Sequence, residues 1–269
     1  MQTFGEFEHE AWEKVGVAYD DVFGALTAQS IEPLLDATGI ARGMRVLDVA
    51  TGPGHVAAAA ARRGATVTGL DFSAGMVAIA KSRYPGIDFR EGDAQALPFP
   101  DASFDAVLIC FGLLHFPDAD EALREACRVL QPGGRVGFSV WACADKAVGF
   151  GAVLEAIGNN GRLDAGLPPG PSLFRFSDPQ ECRRTLQDAG FRDPRCAEVA
   201  QCWRLDSVQA WIDGMERSTV RAAALLRGQS PQDYARIRSD LESRGRAWRR
   251  PDGRLELPMP AILATATRA

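Results

Sequence analysis

Two glycines and two acidic residues in the first part of the sequence have the types and spacing of a nucleotide-type ligand site. Gly52 and Gly54 permit a tight turn in which backbone amides approach a ligand closely. Asp48 precedes this turn. Asp71 follows one helix later, at the expected end of a second strand, where a carboxylate can accept hydrogen bonds from two ribose hydroxyls. The pattern therefore predicts a cofactor site built on a βαβ unit.

The elements that must position these residues are a strand, a helix and a second strand. An apolar run near 45–50 has the composition of a strand buried on both faces. The Ala-rich stretch near 55–63 predicts the helix, and residues 66–71 predict the next strand. Parallel strands joined in this way place their carboxyl ends, and hence the ligand, at one edge of the sheet.

Two cofactors suit this geometry. Gly52-x-Gly54-x-x-Ala57 followed by Asp71 also satisfies the loose dinucleotide fingerprint. A pyrophosphate needs bare helix N-terminal amides, however, and the carboxylate of Asp48 beside them would repel it. The same carboxylate favours a cationic ligand, such as the ammonium and sulfonium groups of S-adenosylmethionine. An NAD(P)-dependent oxidoreductase stays the less favoured alternative.

The segment 48–54, Asp-x-Ala-x-Gly-x-Gly, together with Asp71 resembles motifs I and II of the class I S-adenosylmethionine-dependent methyltransferases. Residues 91–99 resemble the adenine-binding segment of that family, and 104–110 resemble its fourth strand. Residues 124–135 resemble its R-V-L-x-P-G-G turn before strand five. The four motifs occur in order over roughly residues 40 to 141. They are most similar to the small-molecule type that includes the quinone-biosynthesis methyltransferases, which also have alanine where most relatives have the glycine equivalent of position 50.

The resemblance implies an α/β fold and a cofactor. The fold is a doubly wound, seven-stranded, mostly parallel Rossmann-like sheet with N-terminal helices and a C-terminal helical insertion that forms a lid. The cofactor is S-adenosylmethionine. The matching positions imply the following cofactor-binding residues: Asp48, Ala50, Thr51, Gly52, Gly54, Asp71, Phe72, Met76, Asp93, Ala94, Cys110 and Phe111.

Several of these residues have alternative interpretations. Asp48 orients the loop and the amino end of the donor. Asp93 accepts a hydrogen bond from the adenine amino group or only forms a turn. Phe72 and Met76 pack on the adenine or in the core. Cys110 touches the ligand or is a small apolar filler.

His115 is the one side chain for which we predict acid–base catalysis. It follows the fourth strand at the expected rim of the site, and the ordinary pKa of histidine suits proton removal from an oxygen or nitrogen nucleophile. His9 and His55 are less well placed. A non-catalytic His115 is the alternative, because positioning and exclusion of water can supply most of the rate of methyl transfer.

Aromatic side chains occur on the segments expected to surround a substrate. Tyr19, Phe23, Trp141 and Trp203 are the predicted substrate-binding residues, although core packing also explains each of them singly. Together they indicate an apolar or aromatic acceptor. The basic cluster between residues 244 and 250 could bind an anion, but a solvated helix end is the simpler interpretation.

Composition excludes other classes of protein. With 269 residues, 46% of them hydrophobic, the chain can bury one large core, and its net charge of −5 gives no general attraction for nucleic acid. No apolar run reaches the roughly 18 residues of a membrane span. The six cysteines form no C-x-x-C pair. We therefore expect a cytoplasmic enzyme without a metal, and the oligomeric state stays open.

We expect one methyltransferase domain over residues 1–269, with three parts. These are an N-terminal helical cap (1–40), a cofactor-binding core (41–141), and substrate-side helices with the last two strands (142–269). In the third part the patterns predict a lid loop over 158–171, a strand over 192–204, helices over 206–227 and 230–247, and a last strand over 261–267.

These observations predict S-adenosylmethionine-dependent methyl transfer to a small, apolar or aromatic metabolite by in-line displacement. One alternative is a non-methylating or non-catalytic protein that retains the S-adenosylmethionine site. The less favoured alternative is the oxidoreductase.

Overall fold

The computed structural model describes residues 2–164 and 166–269, and all side chains in them except that of residue 17. In this part of the chain the strands are β1 (Arg45–Val49), β2 (Thr66–Asp71), β3 (Asp88–Glu91), β4 (Phe104–Cys110), β5 (Leu130–Trp141), β6 (Phe191–Val199), β7 (Cys202–Leu205), β8 (Leu255–Pro258) and β9 (Ala261–Arg268). Seven of them form one sheet in the order β3-β2-β1-β4-β5-β9-β6. The strands β1 to β5 pair in parallel, and β9 lies antiparallel between β5 and β6. The predicted seven-stranded, mostly parallel sheet is confirmed.

Helices cover both faces of the sheet. They are α1 (Phe4–Thr27), α2 (Ile31–Thr38), α3 (His55–Arg62), α4 (Ala74–Arg83), α5 (Ala119–Val129), α6 (Val148–Asn160), α7 (Pro179–Asp188), α8 (Val208–Ser218), α9 (Arg221–Arg227) and α10 (Pro231–Gly245). One apolar cluster joins the sheet to α2 and α3, and another joins it to α5 and α7. Because both faces are buried, the central strands are mainly apolar.

The site is positioned by the strand order. The chain runs outward through β1, β2 and β3 and then returns to place β4 on the other side of β1. In doubly wound sheets a ligand binds where the direction of winding changes, at the carboxyl ends of the strands. This point lies between the residues that follow β1 and those that follow β4.

Two helices that begin at this edge have side-chain N-caps. The Ser73 hydroxyl accepts a hydrogen bond of 3.1 Å from the amide of Met76, at the start of α4. The Asp118 carboxylate accepts one of 2.9 Å from the amide of Glu121, at the start of α5. These caps fix the helix starts behind β2 and β4, where the loops of the site begin.

Three predicted boundaries are wrong. The strand predicted over 192–204 ends at Val199, and β7 pairs instead with β8 in a separate two-stranded sheet. The helix predicted over 206–227 is interrupted at Thr219, whose backbone is extended and whose hydroxyl accepts from the amide of Ala223 in α9. The predicted lid loop begins at residue 161, because α6 continues to Asn160.

A helical lobe covers the carboxyl edge of the sheet. It contains α6, α8, α9, α10 and the small sheet of β7 and β8, and it packs against α1. Most of this lobe is inserted between β6 and β9, which agrees with the predicted helical insertion between the last two strands. Trp211 is fully buried at its centre and donates from Nε1 to the carbonyl of Gly149, 3.1 Å away.

Candidate functional site

The loop after β1 is held against the end of β2 by Asp71. This side chain is 4% exposed, and its two oxygens accept hydrogen bonds from the amides of Gly52 (2.8 Å) and Ser73 (3.0 Å). Gly52 has a φ of +51°, and a Cβ built there meets nothing within 4 Å. The carboxylate at the end of β2 therefore holds one side of the loop, and the other side, at Gly52, is open.

Two of the four described non-glycine residues with a positive φ lie at the same edge. Ala50, directly after β1, has a φ of 55°, and Phe111, directly after β4, has a φ of 56°. Residues with a side chain adopt this left-handed region at a cost, and such residues are typical of ligand sites. Both residues line the large cavity described below. The residues that directly follow β1 and β4 thus line the same cavity.

Asp48 lies under the loop, outside the cavity wall. It is fully buried, and one oxygen accepts from the Thr51 hydroxyl (2.6 Å) and from the Ala57 amide (3.0 Å). The other oxygen, Oδ1, has no partner among the described residues. Burial, together with the neighbouring charge of Asp71 and against these two hydrogen bonds, raises the pKa of Asp48 to about 7.

Gly54 also lies outside the cavity wall, and it is required for packing. Its φ is +86°, and a Cβ there would lie 2.9 Å from the ring of Phe89 on β3. The residue therefore lets the loop pack closely on the sheet.

A large cavity opens in front of Gly52 and continues toward α1 and the helical lobe. Of the predicted residues, those that line it are Tyr19, Phe23, Ala50, Thr51, Gly52, Asp71, Phe72, Met76, Cys110, Phe111, His115 and Trp141. Its far wall is aromatic: Tyr19 stacks on Phe23 with ring centroids 5.8 Å apart, and Trp141 packs on Phe111 at 4.1 Å. The structure thus brings the loop after β1 and an aromatic wall into one space.

Trp203 does not line this cavity. It is 2% exposed and lies against the ring of Phe23 at 4.7 Å between centroids. Its partners belong to the core of the helical lobe. The side chain therefore supports the aromatic wall from the outside, which corrects the prediction that it faces the substrate.

A second cavity adjoins the first and shares the side chains of Phe72 and His115 with it. Asp93 and Ala94, predicted to bind adenine, line this second cavity. Asp93 also forms a turn, since its Oδ1 accepts from the amide of Gln95 at 2.8 Å. The two interpretations of Asp93 are therefore compatible.

His115 lies on the walls of both cavities, in a short 3-10 turn after β4. Its Nδ1 is 2.8 Å from Oε2 of Glu8 in α1, and Trp12 packs edge-on against its ring at 4.8 Å between centroids. Glu8 is fully buried and is also paired with Arg221.

Glu8 and Arg221 were not predicted from the sequence. Glu8 is separated from His115 by 107 residues, so no local motif connects them. One signal was available: Glu8 occupies the apolar face of α1, one helical turn from Phe4 and one from Trp12, where an acidic residue is unexpected.

Other site types find no support in residues 2–164 and 166–269. No group of three His, Cys, Asp or Glu side chains there could hold a metal ion. In the same part of the chain, every helix is too short or too polar to cross a membrane.

Comparison with known proteins gives a family match in the core of the chain. Residues 47–138 match the family model described as "Methyltransferase domain". A demethylmenaquinone methyltransferase of Renibacterium salmoninarum is 50% identical over 103 residues, which are 38% of this chain and 44% of that protein. The same enzyme of Beutenbergia cavernae is 48% identical over 121 residues, or 43% of this chain and 50% of that protein. The chain thus spans about half the length of the curated relatives it matches.

Solved structures show the same fold over most of the chain. A putative methyltransferase of Bacillus halodurans has a TM-score of 0.58 and 21% identity, covering 88% of this chain and 98% of that one. The [4+2]-cyclase SpnF has a TM-score of 0.60 and 21% identity, covering 99% of this chain and 97% of that one. The family match and the relatives agree over the core of the chain, so residues 47–138 match a methyltransferase domain, and the solved structures show the same fold around it.

Proposed function

We propose that the protein transfers the methyl group of S-adenosylmethionine to a small, apolar or aromatic metabolite by in-line displacement. One observation carries this proposal: the loop held by Asp71 and the aromatic wall of Tyr19, Phe23 and Trp141 line a single cavity. A donor and an acceptor bound at its two ends would meet away from bulk water. Such positioning and exclusion of water supply much of the rate of a displacement reaction.

The residues at the loop fit the proposed cofactor. Oδ1 of Asp48 is a buried carboxylate oxygen without a partner among the described residues. Asp48 does not line the cavity, so it would act on a ligand through its charge, which in the ionised form favours a cationic ligand and opposes a pyrophosphate. The space in front of Gly52 is open, and Asp71 lies at the strand end where ribose hydroxyls bind in related folds. A dinucleotide fits less well, because the negative charge of Asp48 would repel its pyrophosphate.

Each group of residues has a proposed task. Asp71 would hold the ribose, Asp93 and the Ala94 amide the adenine, while Phe72 and Met76 pack on its ring. Ala50, Thr51, Gly52, Cys110 and Phe111 complete the cofactor wall, and Asp48 and Gly54 hold the loop from behind. When bound, the cofactor supplies an electrophilic methyl group. His115, on the wall shared by both cavities, would accept the proton of the acceptor.

A small acceptor agrees better with the surface charges than a nucleic acid does. Within the basic cluster, Arg244 is paired with Asp240 and Glu155, and Arg250 with Glu256. These guanidinium groups are neutralised by the chain's own carboxylates, which weakens the cluster as a phosphate-binding surface. The overall net charge is −5.

A non-methylating reaction is the second candidate. Its specific support is that a protein described as a [4+2]-cyclase shares this fold over nearly the whole chain, so the fold alone does not decide the chemistry. Both candidates place S-adenosylmethionine in the same site.

A thermal-shift titration with S-adenosylmethionine, S-adenosylhomocysteine and NADH in parallel tests the site. We expect the two sulfur ligands to stabilise the protein, because a ligand at about 100 times its dissociation constant adds roughly 2.7 kcal/mol to the free energy of unfolding. NADH should leave the unfolding temperature unchanged. Stabilisation by NADH alone would overturn the proposal and favour an oxidoreductase.

A further inference from the structure

A buried carboxylate in α1 accepts hydrogen bonds from three side chains. Oε2 of Glu8 is 3.1 Å from Nε1 of Trp12 and 2.8 Å from Nδ1 of His115. Oε1 of Glu8 is 3.3 Å from Nε of Arg221. Glu8 has no exposed surface, so water does not compete for these contacts. A buried, fully engaged carboxylate holds its donors in fixed orientations.

The chemistry of the donors determines where the proton of His115 lies. The indole of Trp12 and the guanidinium of Arg221 can only donate, so both oxygens of Glu8 act as acceptors toward them. A proton on Glu8 would leave Arg221 without its ion-pair partner, the only one it has among the described residues. Glu8 is therefore a carboxylate, and Nδ1 of His115 must carry the hydrogen that it donates.

Each guanidinium nitrogen of Arg221 donates to a group of the protein, and the side chain also lines the large cavity. Besides Glu8, it donates to the carbonyl of Pro171 at 2.6 Å and to that of Leu114 at 3.0 Å. Its guanidinium also lies over the ring of Phe4, 4.7 Å from the centroid. The ion pair is neutral as a whole, so Glu8 can fix a neutral imidazole without requiring a positive charge on it.

Because Nδ1 of His115 donates to Glu8, Nε2 is the nitrogen that can react with a substrate. His115 lines both cavities, and Nε2 has no hydrogen-bond partner among the described residues. In the neutral ring that nitrogen carries a lone pair. The arrangement of carboxylate, imidazole and reacting group is the one in which a carboxylate sets the tautomer of a general base.

We propose that Glu8 is a positioning residue that keeps the proton of His115 on Nδ1 and leaves Nε2 as the base, so that the methyl acceptor is an O–H or N–H group. This inference rests on the proposed methyl transfer. As the acceptor oxygen or nitrogen forms its bond to the methyl carbon, the carbon–sulfur bond breaks and its electron pair stays on sulfur. The O–H or N–H proton goes to Nε2 of His115, and the imidazolium is stabilised by Glu8.

Nitrogen-15 NMR of the full chain tests the tautomer without any substrate. The chain has three histidines, so uniform labelling of histidine and a His115→Asn spectrum identify the resonances of His115. We expect a protonated, pyrrole-type Nδ1 and an unprotonated, pyridine-type Nε2 at the high-pH end of a titration. A proton on Nε2 in the wild-type protein would overturn the proposal, whatever the variants do.

Glu8→Gln should reverse the tautomer. The amide oxygen is expected to face the charged Arg221, so that the NH₂ group donates to Nδ1, the proton of His115 moves to Nε2, and the indole of Trp12 loses its acceptor. Glu10→Gln, at an exposed position of the same helix, is the matched control and should leave the spectrum unchanged. An unchanged tautomer in folded Glu8→Gln would contradict the role of Glu8.

Turnover measurements distinguish a positioning role from a purely structural one. Glu8→Gln should lower kcat at least about tenfold in the wild-type background, and should have no further effect in the His115→Asn background, since residues that act as a unit are not additive. Equal effects in both backgrounds would indicate structural damage. With a ¹³C-methyl donor, the product should carry an O-methyl or N-methyl signal, and a C-methyl product would overturn the proposed acceptor. If the tautomer is as expected but no methyl is transferred, the proposed function and the role of Nε2 as its base fail, while the effect of Glu8 on the tautomer of His115 stands.

Discussion

His115→Asn should reduce kcat by about 10²- to 10⁴-fold while leaving the affinity for S-adenosylhomocysteine unchanged. The asparagine amide can still donate to Glu8 in place of Nδ1, so the contact between α1 and the turn after β4 is retained. What the variant lacks is a nitrogen that can accept a proton at the position of Nε2. Single-turnover kinetics with an identified acceptor, together with equilibrium binding of S-adenosylhomocysteine, separate these two properties.

His9→Asn is the control for this prediction. His9 lies on the wall of the second cavity and packs on Phe72 with centroids 5.3 Å apart, but no hydrogen bond links it to His115. Because His9 lies in the proposed adenine site, kcat is compared at saturating S-adenosylmethionine, where its replacement should leave kcat nearly unchanged. If His115→Asn lowers kcat by less than about threefold, proton transfer to this residue does not contribute, and positioning alone accounts for the rate.

Asp71→Ala should weaken binding of S-adenosylmethionine by about 1.5–3 kcal/mol, or roughly 10- to 150-fold. The variant removes the proposed acceptor for the ribose hydroxyls. It also releases the amides of Gly52 and Ser73, which the carboxylate holds at 2.8 and 3.0 Å. Isothermal titration calorimetry at pH 8 measures the change directly. The exposed Asp88→Ala on β3 is the control and should bind as the wild type does.

The affinity of the wild-type protein should also depend on pH, in a direction that the burial of Asp71 determines. Burial, against its two backbone hydrogen bonds, raises the pKa of this carboxyl to about 6. The ionised form is the better acceptor, so binding of S-adenosylhomocysteine should be strongest above pH 7 and fall by up to tenfold per unit below about 6. Asp71→Asn should bind S-adenosylhomocysteine more weakly than the wild type at high pH. Its affinity should lack the part of the pH dependence that protonation of Asp71 causes. An affinity that is equal in wild type and Asp71→Asn at all pH values would contradict the ribose assignment.

The parallel half of the fold could be predicted because its signals are local. Strands buried on both faces are continuous apolar runs, and Ser73 and Asp118 cap their helices through contacts within three residues. The boundary at Val199 could not be predicted in this way. Alternation indicates a strand but not its partner, and residues 202–205 pair with a strand that follows them by about fifty residues.

The residues of the site also include some whose proximity local sequence predicts and others whose proximity it does not. The residues of the loop after β1 and Asp71 belong to one βαβ unit, so their proximity follows from their order in the sequence. Glu8, His115 and Arg221 come from α1, the turn after β4 and α9, and meet only because the helical lobe packs on α1. Trp203 was predicted to bind the substrate, but it packs behind Phe23 and does not line the cavity. Such long-range packing leaves no motif in a single sequence.

The most direct test of the account is transfer of radiolabel from [methyl-¹⁴C]S-adenosylmethionine to a total extract of the source cells, separated afterwards into small molecules, RNA and protein. We expect label in the organic-soluble, low-molecular-mass fraction with the wild-type protein, and far less with Asp71→Ala. Label confined to RNA or protein would contradict a small-molecule acceptor. No label in any fraction, from a protein that binds S-adenosylmethionine, would contradict methyl transfer and support the non-methylating alternative.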